Sequence, residues 1–331
     1  MVISGATMKN EEKTELAGFL KTLPPVQFCC VYGSTLHPNN SDKSSMVDYI
    51  LGVADPLKWH SENLKLNRSH YASWMVHLGG AKLVTKVADG IGVGVHFNPF
   101  VTWNDKMLKY GVVRMHDLVE DILNWQRFYI SGRLQKPVRV LLDNLDVENL
   151  NATNLRTAIA AALLILPSKF NEEDLYSTIC SLSYMGDLRM IFAEDKNKVK
   201  KIVQGQFNLF RSMYKPFIEE YEAKDVLRVS SFGGQQNCCL PATRSLVCSL
   251  PLLVRNKMGT GLGGLGDSGQ VVREVVFSSR EEAARSMQKV VRRTVIVSSL
   301  RQAVSGFVAA GGMNAGRYLA NKVRKAWKSW T

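Results

Sequence analysis

The residues best suited to chemistry are a glycine and a serine, Gly33-Ser34, closing an apolar run, and an aspartate, Asp48, that follows after thirteen intervening residues. Glycine lets the backbone approach a phosphate, and the serine adds a hydroxyl and an N–H, so the pair suits an anion. A carboxylate on the next strand suits the metal ions that neutralise a triphosphate. The layout is that of a nucleotidyl-transfer centre, although G-S-x(13)-D alone also describes a tight turn beside a satisfied aspartate. A site of this kind usually carries its second acid two positions on, where this chain has Ile50, so the second ligand is expected from Asp55 or Asp187.

The segments carrying these residues read as strands. Val26-Gln27-Phe28-Cys29-Cys30-Val31-Tyr32 is short, apolar and β-branched, and Met46–Val53 repeats the pattern with one carboxylate inside. Glu11–Thr22, Ala72–Val87 and Met115–Phe128 have helical spacing, Ile91–Trp103 alternates like a strand, and Lys136-Pro137 opens a strand at Val138–Leu142. Strands interleaved with helices up to about residue 145 predict an α/β or α+β domain. From Asn151 to Tyr221 the pattern is helical, with Leu155–Leu166, Glu172–Leu182 behind the cap-like Asn171, and Asn197–Tyr214. Ser230–Gly269 reads as a loop, and its Gly259–Gly266 run as a flexible linker. Gly259-x-Gly261-x-x-Gly264 fits the dinucleotide pattern by letter but follows no strand. Arg280–Val308 is helical, and Arg317–Trp330 is amphipathic, with Leu319, Val323, Trp327 and Trp330 on one stripe and Lys322, Arg324, Lys325 and Lys328 opposite.

A chain of 331 residues that is 46% hydrophobic and 21% charged can bury a core, which excludes collagen-like and wholly disordered classes. Its net charge of +13 predicts an anionic partner, and residues 281–331 hold ten Lys/Arg against two acids. The six cysteines show no C-x-x-C pair, so neither a zinc site nor a disulfide framework is expected and a reducing compartment fits. No segment approaches the ~20 apolar residues of a membrane span. Met1–Leu20 has neither the apolar stretch of a secretory signal nor the acid-poor composition of a transit peptide. None of the six histidines has metal-ligand spacing; His70-Tyr71 is kept as a site candidate.

Several further motifs occur in order: Val31-Tyr32-Gly33-Ser34, Val47-Asp48-Tyr49-Ile50, Asn63 with His70-Tyr71, Phe97-Asn98-Pro99-Phe100, Lys109-Tyr110-Gly111-Val112, Phe128 through Arg133 to Pro137, and Ser183-Tyr184-Met185-Gly186-Asp187-Leu188-Arg189-Met190. Together they resemble the mitochondrial phosphatidate cytidylyltransferase family from about Pro24 to Pro216. The chain departs from that pattern at Thr35, where many members have a second glycine. The resemblance implies an α+β protein: a nucleotidyltransferase domain with a mixed sheet, then a helical winged-helix-like domain and a C-terminal amphipathic helix. The expected boundaries are 1–147, 148–229, a glycine-rich linker at 230–279 and a basic membrane-binding tail at 280–331.

The implied reaction is CTP plus phosphatidate giving CDP-diacylglycerol and pyrophosphate, on the matrix side of the mitochondrial inner membrane, with the protein bound peripherally to an anionic surface. It needs Mg²⁺ or another divalent metal, held by Asp48 with Asp55 or Asp187. Ser34, Lys136 and Asp187 join Asp48 as catalytic candidates. Tyr32, Gly33, Ser34, His70, Tyr71, Arg133, Lys136 and Arg189 are the candidates for binding CTP or phosphatidate, the arginine able to grip a phosphate with two N–H groups. No nucleic acid partner is expected. The alternatives are a nucleotidyltransferase acting on RNA and a non-catalytic membrane scaffold, the latter drawing on Ile50.

Overall fold

The computed structural model describes residues 10–33, 36, 46–187, 197–230, 233–259 and 277–310. The two apolar runs flanking the Gly33 turn are strands β1 (Phe28–Tyr32) and β2 (Val47–Val53). They lie inside a five-stranded sheet of order β3 (Val95–Trp103), β4 (Lys106–Arg114), β2, β1, β5 (Arg139–Asp143). β1 is antiparallel to β2 and β5, β2 is parallel to β4, and β3 is antiparallel to β4. Cys29, Cys30 and Val31 are at most 1% exposed because both faces of the sheet are covered, which is why this run lacks alternation.

One face packs on α1 (Asn10–Gly18), the turn Phe19–Thr22 and α2 (Pro56–Leu66). The other packs on α5 (Met115–Asn124), α6 (Ser131–Leu134) and the start of α7 (Val147–Ile165). Ladder partners share a face, so the register puts Tyr32, Asp48 and Lys109 on the α5 side and Val31, Tyr49, Tyr110 and Asn98 on the α2 side. The helix expected at Ala72–Val87 is two, α3 (Ser73–Leu78) and α4 (Gly80–Lys86), broken where Gly80 takes φ 54. β4 starts at Lys106 because Asn104 (φ 46) and Asp105 (φ 59) both adopt left-handed backbone and close a tight hairpin with β3.

The second unit is built around α7, whose Ala158–Leu164 stretch is buried on every side, as a central helix must be. Around it stand α8 (Glu172–Leu182), α9 (Lys198–Gly205), α10 (Phe207–Ala223), α11 (Leu240–Cys248) and α12 (Leu252–Gly259). A small sheet, β6 (Lys169–Phe170), β7 (Leu227–Ser230) and β8 (Gly233–Gln236), closes one side in the order β6-β8-β7. The start of α8 is fixed by a reciprocal cap, with Asn171 and Asp174 exchanging hydrogen bonds at 2.7 and 3.0 Å.

Two sequence expectations are corrected. The stretch read as a loop from Ser230 contains β8, α11 and α12, whose Leu246, Val247 and Val254 belong to the second core; the Gln236 side-chain amide donates to the carbonyls of Leu163, Leu166 and Pro167. The helix expected from residue 280, the first part of the segment read as a membrane-binding tail, packs on both units. Helix α13 (Arg280–Ala310) buries Ala283, Met287 and Val291 in the second unit and then runs along the first. Ser298 donates to Arg127 O at 2.6 Å, the Arg301 guanidinium to the carbonyls of Asp89, Gly90 and Ile91, and Ala309 lies against Tyr71, Met75, Val84 and Val87. Residues 260–276 of the expected linker and the amphipathic stretch Arg317–Trp330 lie outside the described residues. No described helix is long and apolar enough to cross a membrane.

Candidate active site

The site grows out of the β1–β2–β4 register. Tyr32 pairs with Asp48, and Asp48 with Lys109, so three adjacent strands put a phenol, a carboxylate and an ammonium in one row on the α5 side. Lys109 Nζ lies 2.7 Å from Asp48 Oδ1, each side chain about one-fifth exposed, so the pair borders solvent rather than the core. Gly33 follows Tyr32 with φ 99, and a Cβ there would stand 3.1 Å from Asp48 Oδ2. The turn thus lays bare backbone against the carboxylate, a place for an anion and its counter-ion together.

Arg133, on α6, faces the same row. Its guanidinium carbon is 5.2 Å from the Tyr32 ring centre and 3.9 Å from that of Tyr129, and Nη1 donates to Tyr129 O at 2.7 Å. Stacking between two rings fixes the plane of the fork before any ligand arrives. Lys109 Nζ sits 5.1 Å from the Phe97 ring centre, and Phe97 meets Tyr129 edge-on at 6.4 Å. Burial pushes the Tyr32 hydroxyl up to about 12, so it stays protonated at neutral pH. The result is a row in which Lys109 pairs with Asp48 and Arg133 covers Tyr32, each cation held against aromatic rings.

Lys136 points toward the second unit. Its Nζ donates to Gly132 O and, at 2.7 Å, to Ser183 Oγ, and it lies 5.1 Å from the Tyr184 ring centre, with Lys198 at 5.3 Å from the same ring. Asp187 is buried on that same turn after α8, its N–H donating to Tyr184 O at 3.1 Å. Gly186, at φ 78, brings the turn against Arg292 and Ile296 of α13, which a Cβ there would meet at under 3 Å. Ser34 and Arg189 lie outside the described residues.

Asp55 does not join Asp48. It caps α2, Oδ1 accepting from Leu57 N at 2.9 Å and Lys58 N at 3.2 Å. Asp48 stands near the start of β2 and Asp55 beyond its end, and five residues of strand at ~3.3 Å each separate them by more than one ion can bridge. His70 and Tyr71 are placed on the α2 side of the sheet, away from Asp48. There His70 Nδ1 meets Tyr110 Oη at 2.9 Å, His60 Nδ1 meets Tyr71 Oη at 2.8 Å, and Asn63 Nδ2 donates to both phenols at 2.8 Å. Burial holds the His60 ring well below its ordinary range and His96, stacked on Tyr71, at about 4. This is a network of neutral groups that ties α2 to the sheet, in which His96 Nδ1 and Asn98 Nδ2 have no hydrogen-bond partner among the described residues.

Lys109 and Tyr129 are the site residues that sequence reasoning passed over, although both lie inside quoted motifs. Among the described residues no cluster of three His, Cys, Asp or Glu is placed to hold a metal. A lone carboxylate beside bare backbone still matches the way Mg²⁺ is commonly held, by one or two carboxylates with substrate phosphates completing the shell.

Comparison with known proteins gives the same direction. Residues 16–325 match the family model described as "Phosphatidate cytidylyltransferase, mitochondrial". Proteins bearing that name are similar over nearly the whole chain: one from Bos taurus is 33% identical over 307 residues, covering 90% of each chain, and one from Mus musculus is 31% identical over 306 residues, again covering 90% of each. A third, from Schizosaccharomyces pombe, is 33% identical over 336 residues, covering 95% of this chain and 83% of its own. With the family model matched from residue 16 to 325 and relatives of 31–33% identity over most of its length, the chain belongs to the mitochondrial phosphatidate cytidylyltransferase family.

Proposed function

We propose that this chain is a mitochondrial phosphatidate cytidylyltransferase, transferring CMP from CTP to phosphatidate to give CDP-diacylglycerol and pyrophosphate, an early step toward cardiolipin and phosphatidylglycerol. The observation that carries the reading is the row Tyr32–Asp48–Lys109 beneath Gly33, faced by the ring-stacked Arg133. Both reactants are anions, so the site must supply positive charge and close backbone approach before anything else.

In this reading Gly33 and Ser34 receive the triphosphate of CTP, with Arg133 on its oxygens. Asp48 would hold Mg²⁺, which would supply the positive charge needed to screen the triphosphate. Lys109 then leaves Asp48 for a phosphate oxygen, a short swing for a four-carbon side chain. Lys136, at the junction with the second unit, faces the phosphatidate headgroup, and Asp187 and Arg189 belong to that wall. A phosphate oxygen of phosphatidate attacks the α-phosphorus in line, the bond to the β-phosphate oxygen breaks, and no covalent enzyme intermediate forms. The basic amphipathic stretch Arg317–Trp330 would rest in an anionic interface on the matrix side of the inner membrane, each cation adding about 1 kcal/mol near such a surface.

The test combines purified protein, phosphatidate vesicles, Mg²⁺ and labelled CTP. Matching amounts of CDP-diacylglycerol and pyrophosphate are expected, with loss of product on chelation, in Asp48→Asn and in Lys109→Met. Near-normal turnover by a folded Asp48→Asn protein would sink the assignment. A scaffold without catalysis is the second reading, favoured by Ile50 and the single carboxylate in the row; it predicts vesicle binding without metal-dependent CTP binding.

A further inference from the structure

The rim of the site that carries Arg133 is an irregular stretch, Trp125–Ile130, between α5 and α6, and its backbone is costly by itself. Trp125 and Phe128 both take φ 51, where side chains larger than glycine are disfavoured. One carboxylate gathers the N–H groups of this stretch. Asp121, on α5 and 4% exposed, accepts at Oδ1 from the N–H of Arg127 and Phe128, both at 2.7 Å. Its Oδ2 accepts from the N–H of Tyr129 at 3.0 Å, Ile130 at 2.8 Å and Ser131 at 3.0 Å, and from Ser131 Oγ at 3.2 Å. A buried carboxylate is tolerated only when its oxygens are satisfied in this way, and such a cradle holds the peptides it touches more rigidly than packing alone.

What those peptides hold is the arginine. Tyr129 is the centre of the cradle, its carbonyl accepts Arg133 Nη1 at 2.7 Å, and its ring lies 3.9 Å from the guanidinium carbon. From the other side Asn154 of α7 accepts from Trp125 Nε1 at 2.8 Å and Gln135 Nε2 at 2.9 Å and donates to Ser131 O at 3.0 Å, so the stretch is gripped at both ends. We propose that Asp121 is a positioning residue for the transfer reaction: its carboxylate fixes the Tyr129 backbone and ring, and through them the orientation in which Arg133 meets a phosphate. The proposal rests on the reading that Arg133 binds CTP.

Two measurements test it. In the wild-type protein the amides of Arg127–Ser131, although mostly outside regular structure, should exchange with solvent as slowly as those of β1 and β2; exchange as fast as an exposed loop overturns the proposal and needs no variant. In the vesicle assay Asp121→Asn should lower kcat/KM for CTP on the order of 10²-fold, the scale of an ångström-sized misplacement, through KM for CTP and with KM for phosphatidate unchanged. Arg133→Ala should do the same, and Asp121→Asn added to Arg133→Ala should cost nothing more. An additive double variant overturns the positioning role while leaving Arg133 as a CTP ligand. An unchanged KM for CTP in Arg133→Ala overturns that ligand role and the inference with it.

Discussion

Replacing Gly33 by alanine perturbs the site without removing a charge or a hydrogen-bonding side chain. At φ 99 an L residue is strained, at a cost on the order of 1–2 kcal/mol. The new methyl would lie 3.1 Å from Asp48 Oδ2, while Oδ1 of the same carboxylate is held 2.7 Å from Lys109 Nζ. Either the turn relaxes, withdrawing its backbone from the phosphate, or the carboxylate rotates off Lys109. Both move the anion cradle relative to Asp48, and a misplacement of about 1 Å costs on the order of 10²-fold in rate. Strain of this size lowers the unfolding temperature by only a few degrees in a chain of this length. Initial rates of CDP-diacylglycerol formation against CTP concentration, taken with thermal unfolding on the same preparation, should give a kcat/KM reduced about 10²-fold and a Tm reduced by a few degrees. A Tm lowered as expected with kcat/KM within about twofold of wild type would refute the reasoning. The strain would then be real and the turn would have no part in the chemistry.

Two further outcomes follow from other parts of the molecule. Burial holds the folded His96 ring at about 4 against its ordinary 6.5, so the unfolded chain takes up protons that the folded one refuses, and stability present above about pH 6.5 is lost as pH falls toward 4. His96 alone accounts for about 3 kcal/mol over that window, so urea midpoints should fall between about pH 7 and pH 5, less steeply in His96→Gln; equal slopes would exclude the neutral network. Ending the chain after Ile296 removes Ser298, Arg301 and Ala309 from their partners on the first unit and should lower Tm well below wild type. Ending it after Gly316 should weaken co-sedimentation with anionic vesicles; unchanged co-sedimentation would remove the membrane role from Arg317–Trp330.

The sequence shows a feature of the site when that feature depends on neighbours along the chain, and hides it when it depends on which strands pair. β1, the Gly33 turn and β2 are legible because a buried strand, a glycine and a lone carboxylate follow one another within about two dozen residues. Lys109 is not, since its place beside Asp48 exists only through the parallel β2–β4 register across some 60 residues. His70-Tyr71 reads as functional from residue type alone, and nothing in the sequence tells which face of the sheet receives it. The continuation of α13 into the first unit is hidden for the same reason: Ser298, Gln302 and Ser305 look like a polar helix face until Val95 and Gly92 are seen against it.

The turn Gly132–Lys136, which precedes the expected boundary near residue 147, touches both units. Arg133 and Lys136 stand three residues apart, yet they face opposite walls, Arg133 toward Tyr32 and Tyr129 and Lys136 toward Ser183 and Tyr184. That turn is anchored to both units, by Asp121 from α5 and by Tyr214 Oη, which donates to Gln135 O at 2.8 Å from α10. A reaction joining two anions needs their phosphates held at a fixed separation, since Coulomb repulsion drives free phosphates apart. Two cations on one doubly anchored turn meet that requirement without a hinge. On this reasoning loss of the anchor from the second unit, in Tyr214→Phe, should raise KM for both substrates together, unlike Asp121→Asn, which acts through Tyr129 on Arg133, whereas loss of Lys136 should raise it for phosphatidate alone. A rise confined to CTP in Tyr214→Phe would show that the second unit does not set the position of this turn.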